Sequence, residues 1–183
     1  MDQAMSVLTS HNTVEWYTPP VYIDLVKNVL GKIDLDPASA KFCQKWIKAN
    51  CWFGKKENGL KQDWKANTVF CNPPYGKEDG KSGQATWSKK MIEEWYKGNF
   101  KEGILLVNST QGYKWYEQLW ESFPVCCARE RIKFVDINGK VGGQAKRGQT
   151  FVYFGINILK FKQVFSKIGK VIIPETISIE KVI

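Results

Sequence analysis

Apolar positions recur at helical spacing in TPPVYIDLVKNVLG, where Tyr22, Leu25, Val26, Val29 and Leu30 share a side; the prolines suit a helix start and Gly31 a stop. Ile33 to Asp36 reads as a short strand ending on a carboxylate, and Pro37 opens a loop or helix running to about Asn50. Cys51 to Phe53 and Thr68 to Cys71 (TVFC) read as further strands, the second bounded by Asn67 and by NPP. From Asn72 to Ala85 glycines are frequent and large apolar groups few, which predicts a long mobile loop. Trp87, Met91 and Trp95 then mark a helix from about Ala85 to Lys97, and their aromatic stripe suits core packing better than a platform for bases. Gly103 to Asn108 is a buried strand, Tyr113 to Glu121 a helix and Val125 to Ala128 a strand. Arg131 to Val135 and Thr150 to Ile158 alternate like paired antiparallel strands joined by a glycine-rich loop, 136–149. A helix and a strand at Lys170 to Ile173 complete the tail.

Strands alternating with helices imply an α/β fold: a mostly parallel sheet with helices on both faces and an antiparallel hairpin at one edge. Nothing divides the chain after its polar start, so 1–15 is expected to be a flexible arm and 16–183 a single domain. Ligands of such sheets bind beyond the carboxyl ends of the strands, and Asp36 and Asn72 each follow a strand directly.

Charge narrows the class of partner. Among 183 residues, 27 Lys and Arg face 18 Asp and Glu, a net charge of +9 that favours a polyanion. No apolar run reaches membrane-spanning length and the N-terminus has no signal-peptide core, so an intracellular, cytoplasmic protein is expected. The five cysteines contain no C-x-x-C pair and read as buried free thiols rather than a zinc or disulfide framework; no metal site is expected. The single histidine, His11, lies in the polar arm and leaves little room for nucleophilic catalysis through an imidazole.

The richest chemistry lies in Asn72-Pro73-Pro74-Tyr75. Consecutive prolines fix the backbone and present carbonyl oxygens, Asn72 adds an amide acceptor, and Tyr75 adds an aromatic face. Two acceptors can take both hydrogens of a planar amino group and turn its lone pair toward an electrophile while the ring stacks. An ordinary proline turn with Tyr75 packed inward is the competing reading; the position directly after a buried strand favours the first.

FCNPPYG resembles the catalytic motif of S-adenosylmethionine-dependent amino-group methyltransferases, in the form typical of N6-adenine enzymes. EWYTPP, DLDPAS, NGLKQDW, FCNPPY, RERIKF and FVYFG resemble, in order, the compact phage-type DNA N-6-adenine methyltransferases, over about residues 15 to 155. The resemblance implies a Rossmann-like class I methyltransferase fold, double-stranded DNA as the partner, and a bacterial or phage-infected host cell as the setting. It also implies that Asn72, Pro73, Pro74 and Tyr75 are catalytic, that Asp36 faces the methionine part of the cofactor with Pro37, Ala38 and Ser39 beside it, and that Asp63, near Trp64, receives the cofactor adenine's amino group. Thr18 and Pro19 correspond to the segment closing over the methionine end.

DLDPAS departs from the glycine-rich loop of many methyltransferases, and no acid follows Cys51–Phe53 to bind ribose, which leaves Asn50 as a substitute. Taken alone, Asp36 could equally be a helix cap and Asp63 a plain loop carboxylate. Lys140, Lys146 and Arg147 on the glycine-rich loop, with Arg131, are the candidate DNA-binding cations, and loops 76–85 and 136–149 are expected to touch DNA. The expected reaction is methyl transfer to adenine N6 in DNA. An RNA base amine or a protein glutamine presents a similar planar amino group, and a catalytically silent nucleic-acid-binding protein is the reading from another class.

Overall fold

The computed structural model describes residues 16–177 apart from 79, 143 and 144; the expected arm 1–15, with His11, lies outside the described residues. Helix α1, Pro20–Leu30, begins with proline, where the missing N–H costs nothing, and stops at Gly31, whose φ of 78° favours a residue without Cβ and whose N–H bonds the Lys27 carbonyl at 2.7 Å. Its buried stripe is Ile23, Val26, Val29 and Leu30. Then come β1 (Leu35–Asp36), the four-residue α2 (Gln44–Ile47), β2 (Cys51–Trp52), a 3-10 turn (Gly59–Lys61) and β3 (Thr68–Cys71), buried along its whole length.

The expected mobile loop from Asn72 to Ala85 is shorter than its glycines suggested. Lys77–Glu78 (β4) and Lys81–Ser82 (β5) pair as a small antiparallel hairpin, and helix α3 already begins at Gly83, ending at Tyr96. Strand β6 (Glu102–Asn108), helix α4 (Lys114–Ser122), strands β7 (Val125–Ala128) and β8 (Gln149–Phe154), helix α5 (Ile158–Phe165) and strand β9 (Gly169–Ile172) follow.

The main sheet has the order β2-β1-β3-β6-β8-β7-β9. Its first four strands are parallel; β8 runs antiparallel to both β6 and β7, and β9 antiparallel to β7. The antiparallel edge therefore has three strands, and Arg131–Val135 is not among them. That segment alternates because Ile132, Phe134 and Val135 are buried, but it makes only an isolated bridge from Val135 to Tyr17 and another to Val141. Its Ile132 N–H goes to the Gln149 side chain instead of a strand, at 2.8 Å.

Side chains alternate across the sheet to fill two cores. Phe70, Ile104, Leu106, Phe151 and Tyr153 pack against α1, α2 and α5, whereas Val69, Leu105, Val107, Val152 and Phe154 pack against α3 and α4. Trp87 and Met91 are buried in the second core with Trp95 packed on its edge, as the helical stripe predicts. The thiols of Cys43, Cys71 and Cys126 are buried, but Cys51 is exposed. No helix among the described residues is long and apolar enough to cross a membrane.

This topology gathers chemistry at one end of the sheet. The parallel strands β1, β3 and β6 end on Asp36, Cys71 and Asn108; because β8 is antiparallel, its start, and the cationic loop preceding it, lies at that same end.

Candidate active site at the carboxyl ends of the strands

A cavity of about 640 Å³ opens beyond β1 and β3. Asp36, Pro37, Ala38 and Ser39 line one wall, and Asn72, Pro73, Pro74 and Tyr75 another, so two motifs separated by more than thirty residues share one space. Trp16, Tyr17 and Thr18 close a third side. Its size is that of a small-molecule site.

Asp36 is 2% exposed, and burial pushes its carboxyl up to about 7, against hydrogen bonds that favour the charged form. Those bonds come from the Ala38 N–H to Oδ1 at 3.4 Å and from Gln44 Nε2 to Oδ2 at 3.3 Å. Gln44 also donates to Ser39 Oγ at 2.7 Å and accepts the Ala49 N–H at 2.8 Å, so a single amide from α2 holds the DLDPAS loop in place without the usual glycines. The Ser39 N–H bonds the Phe53 carbonyl at 2.9 Å, tying that loop to the end of β2.

The NPPY corner is seated on the start of α3. The Gly83 N–H bonds the Gly76 carbonyl at 2.8 Å, and a Cβ on Gly83 would lie 2.6 Å from that oxygen and 3.0 Å from the Pro74 carbonyl oxygen. Tyr75 donates its hydroxyl to Asn72 Oδ1 at 3.1 Å, and Asn72 Nδ2 donates to the Trp16 carbonyl at 3.4 Å, which together orient the amide. Desolvation raises the Tyr75 phenol above its usual range, so it remains a donor. Oδ1 keeps a second lone pair, and no hydrogen bond to the Pro73 carbonyl is found among the described residues. The Tyr75 ring meets Phe134 edge-on, with centroids 5.8 Å apart.

Among the described residues, two buried polar atoms of the lining side chains have no partner: Thr18 Oγ1, on a residue 1% exposed, and Trp87 Nε1, on a residue 4% exposed. Unsatisfied buried groups are costly, and both belong to residues that line the cavity. A buried carboxylate, an aromatic flank of Phe53 and Trp87, and these two orphan groups fit a ligand that is cationic at one end and a nucleoside at the other.

Several expected contributors lie elsewhere. Asp63 is exposed and outside the cavity lining, because the turn at Gly59–Lys61, capped by Asn58 in a left-handed conformation, leads the chain past the cavity before reaching it. Trp64 is fully buried in the core behind, its indole N–H bonded to the Gly59 carbonyl at 2.8 Å. Asn50 stands at the start of β2, the wrong end for a ribose, and bonds Asp34 at 2.7 Å. Pro19 precedes α1 outside the lining, while its neighbour Thr18 is in it. Among the described residues no group of His, Cys, Asp or Glu is arranged to hold a metal.

Sequence reasoning missed Phe53, Asn58, Gly59 and the second role of Trp87, all of which line the cavity. The signal for Trp87 was concealed because the same ring packs on Trp64, with centroids 6.1 Å apart. Gly59 leaves a clue only in three dimensions, where a Cβ would fall 2.1 Å from the Pro37 carbonyl oxygen.

Lys140, Lys146, Arg147 and Arg131 are exposed on the 131–148 segment. Buried Gln149 fastens this segment to the sheet: its Oε1 accepts the Ile132 N–H, and its Nε2 donates to the Arg147 carbonyl and, at 3.4 Å, to Asn108. The Ser109 N–H adds a bond to the Gly148 carbonyl at 2.8 Å.

The family model for DNA N-6-adenine-methyltransferase (Dam) matches residues 6–170. Among solved structures, the METTL16 MTase domain (crystal form 2) is 13% identical, with a TM-score of 0.42 over 76% of this chain and 70% of that one. No curated protein matches. Since the family match spans all but the two ends, the chain belongs to the Dam family of adenine-specific DNA methyltransferases.

Proposed function

We propose that this protein methylates adenine N6 in double-stranded DNA by direct transfer at the NPPY corner, with S-adenosylmethionine held in the cavity beside it. The observation that carries the reading is the shared cavity: the buried carboxylate of Asp36 and the paired acceptors of Asn72 and Pro73 face one space. S-adenosylmethionine, when bound, supplies a methyl group already activated on a sulfonium. What is left to the protein is alignment, which suits a cavity whose described lining has no histidine and whose one thiol, Cys43, is pushed up by burial to about 11.

Each residue then has a defined task. Asp36 balances the positive methionine end, Pro37, Ala38 and Ser39 shape that end, and the Thr18 hydroxyl bonds to it. Phe53 and Trp87 flank the nucleoside. Asn72 Oδ1 and the Pro73 carbonyl take the two N6 hydrogens, turn the nitrogen lone pair toward the methyl and stabilise the positive charge that develops on nitrogen. Pro74 stiffens the corner. Tyr75, held by its bond to Asn72 and by Phe134, supports the base ring.

Inside a duplex N6 is paired and shielded, so the target adenine has to rotate out of the stack, at a cost of a few kcal/mol. Lys140, Lys146, Arg147 and Arg131 would bind phosphates around it. The deciding experiment incubates the protein with labelled S-adenosylmethionine and pools of duplex DNA, RNA or protein, then identifies the product. N6-methyladenine in DNA is expected, lost in Asn72→Ala with cofactor binding and fold retained. Label in RNA or glutamine would move the substrate assignment, and full activity of Asn72→Ala would remove the role given to it.

A further inference from the structure

Strand β6 runs parallel to β3 and ends at the same side of the sheet as the NPPY corner. The chain then turns at once. Thr110–Tyr113 is a β-turn closed by the Tyr113 N–H on the Thr110 carbonyl at 3.3 Å, and Gly112 takes the φ of 83° that a type II turn requires at its third residue. Both ends of the turn are fastened. Before it, the Ser109 N–H bonds the Gly148 carbonyl at 2.8 Å, and the Ser109 hydroxyl meets that of Thr150 at 2.9 Å. After it, the Tyr113 carbonyl accepts the N–H groups of Tyr116 and Glu117 as α4 begins. Gln84, next to the glycine that braces the NPPY corner, accepts the Asn108 N–H at 3.2 Å. The turn is thereby tied to the brace of that corner on one side and to the cationic segment 131–148 on the other.

Around the end of β6 stand four amide side chains, and three are spent on the protein itself. Gln84 holds the Asn108 N–H, Asn108 Oδ1 accepts from Gln149 Nε2 at 3.4 Å, and Gln149 also holds Ile132 and Arg147. The fourth, Gln111, is the second residue of the turn; it is exposed and makes no hydrogen bond among the described residues. A Cβ on the adjacent Gly112 would meet nothing within 4 Å, so the tip faces open space. Exposed Tyr113 and Lys114 come next in the chain, and α4 then leads back toward the start of β7, which puts Glu117 and Glu121 farther from the tip. A glutamine amide offers a donor and an acceptor side by side, the pattern that matches N7 and the N6 amino group of adenine in the major groove. Contacts of that kind read sequence, whereas phosphate contacts only set the register. Mounting the amide on a closed, tethered turn lowers the cost of ordering it.

We propose that Gln111 determines sequence specificity by reading an adenine in a base pair that flanks the target, its Nε2 donating to N7 and its Oε1 accepting from N6. This inference rests on the DNA reading above and adds to it a residue outside the cofactor cavity and outside the cationic segment. It places recognition of one base pair in a four-residue turn of the core itself.

The test uses the full chain and duplexes in which the bases around one adenine are randomised, with methylated products sequenced. The parent protein is expected to prefer an A·T pair at a flanking position by about tenfold or more. Gln111→Ala should reduce that preference to within about twofold while leaving the other positions, and the calorimetric affinity for S-adenosylhomocysteine, unchanged. Placing 7-deazaadenine at the same position removes the N7 acceptor; it should slow the parent about tenfold and Gln111→Ala hardly at all. Asn138→Ala, from the exposed amide of the 131–148 segment, should keep the parent's preference. An unchanged profile in Gln111→Ala, an equal loss of rate on every sequence, or transfer of the effect to Asn138→Ala overturns the role of Gln111 and leaves the methyltransferase reading standing. So does a parent protein that methylates adenine equally in all contexts. Failure of the parent to methylate any DNA overturns both.

Discussion

Replacing Asp36 by Asn should make the folded protein more stable at alkaline pH and worse at binding its cofactor. Burial moves the Asp36 carboxyl from an ordinary 3.8 to about 7. A folded-state value above the unfolded one means that folding takes up a proton, so the penalty is absent below pH 4, grows between 4 and 7, and is constant above 7. About three pK units correspond to a ceiling of roughly 4 kcal/mol at 1.36 kcal/mol each. Asn cannot ionise and escapes this cost, but it offers one oxygen where Asp36 accepts from both Ala38 and Gln44, and the lost bond costs about 1 kcal/mol. The net expectation is about 2 to 3 kcal/mol of added stability at pH 8, or a Tm roughly 5 to 10 °C higher, almost no difference near pH 4.5, and a deficit of about 1 kcal/mol at pH 3. Differential scanning calorimetry from about pH 3 to 8.5 follows the crossover, and titration calorimetry should show S-adenosylmethionine bound at least tenfold more weakly at pH 8. Parallel Tm-against-pH curves for the two proteins would refute the argument, because the titrating group would then not be Asp36.

Other expectations concern separate parts of the molecule. Glu94 has a fully buried side chain on α3; burial raises its carboxyl, but Asn99, Lys90 and the Trp64 N–H outweigh that and hold it at about 2. Its folded value lies below the unfolded one, so its stabilisation is full above about pH 4.5 and disappears as pH falls toward 2; Glu94→Gln should cost about 3 kcal/mol at pH 7 in urea melts and much less at pH 3. Gly83→Ala places a methyl against the Gly76 and Pro74 carbonyls and should lower kcat/KM at least tenfold while costing about 1 to 3 kcal/mol, read by labelled-methyl kinetics and calorimetry. Replacing Lys146 and Arg147 together by Ala should weaken DNA binding and reduce the slope of log K against log salt by about one per cation; an unchanged slope would remove that loop from the DNA face.

The parts of this fold that were legible in the sequence are those in which burial and backbone pairing coincide. TVFC is buried at every position and pairs on both sides, so β3 has the predicted boundaries, and α1 runs between the proline and glycine that signal its ends. Legibility failed where the two part company. Arg131–Val135 has a strand's alternation, but its hydrogen-bond partners come singly, from the Gln149 side chain, Tyr17, Gly142 and Ala145, and a side-chain amide seventeen positions from Ile132 has no periodic signature. The site divides in the same way. Asp36 and Asn72 were visible because the first ends a strand and the second directly follows one, where topology alone determines the end of the sheet to which each belongs. Asp63 could not be placed by position along the chain, because the 3-10 turn before it decides its direction.

The contact between Gly83 and the Gly76 and Pro74 carbonyls gives the NPPY corner a size. Four residues are its conspicuous part, but their shape is imposed by a helix that begins eleven positions after Asn72, with the β4–β5 hairpin bringing the chain back. An engineer transplanting NPPY alone into another sheet would carry over the acceptors without the surface that aims them. The smallest portable unit is the continuous stretch from Asn72 through Gly83, and a graft of that stretch, not of the tetrapeptide, is what should retain the geometry.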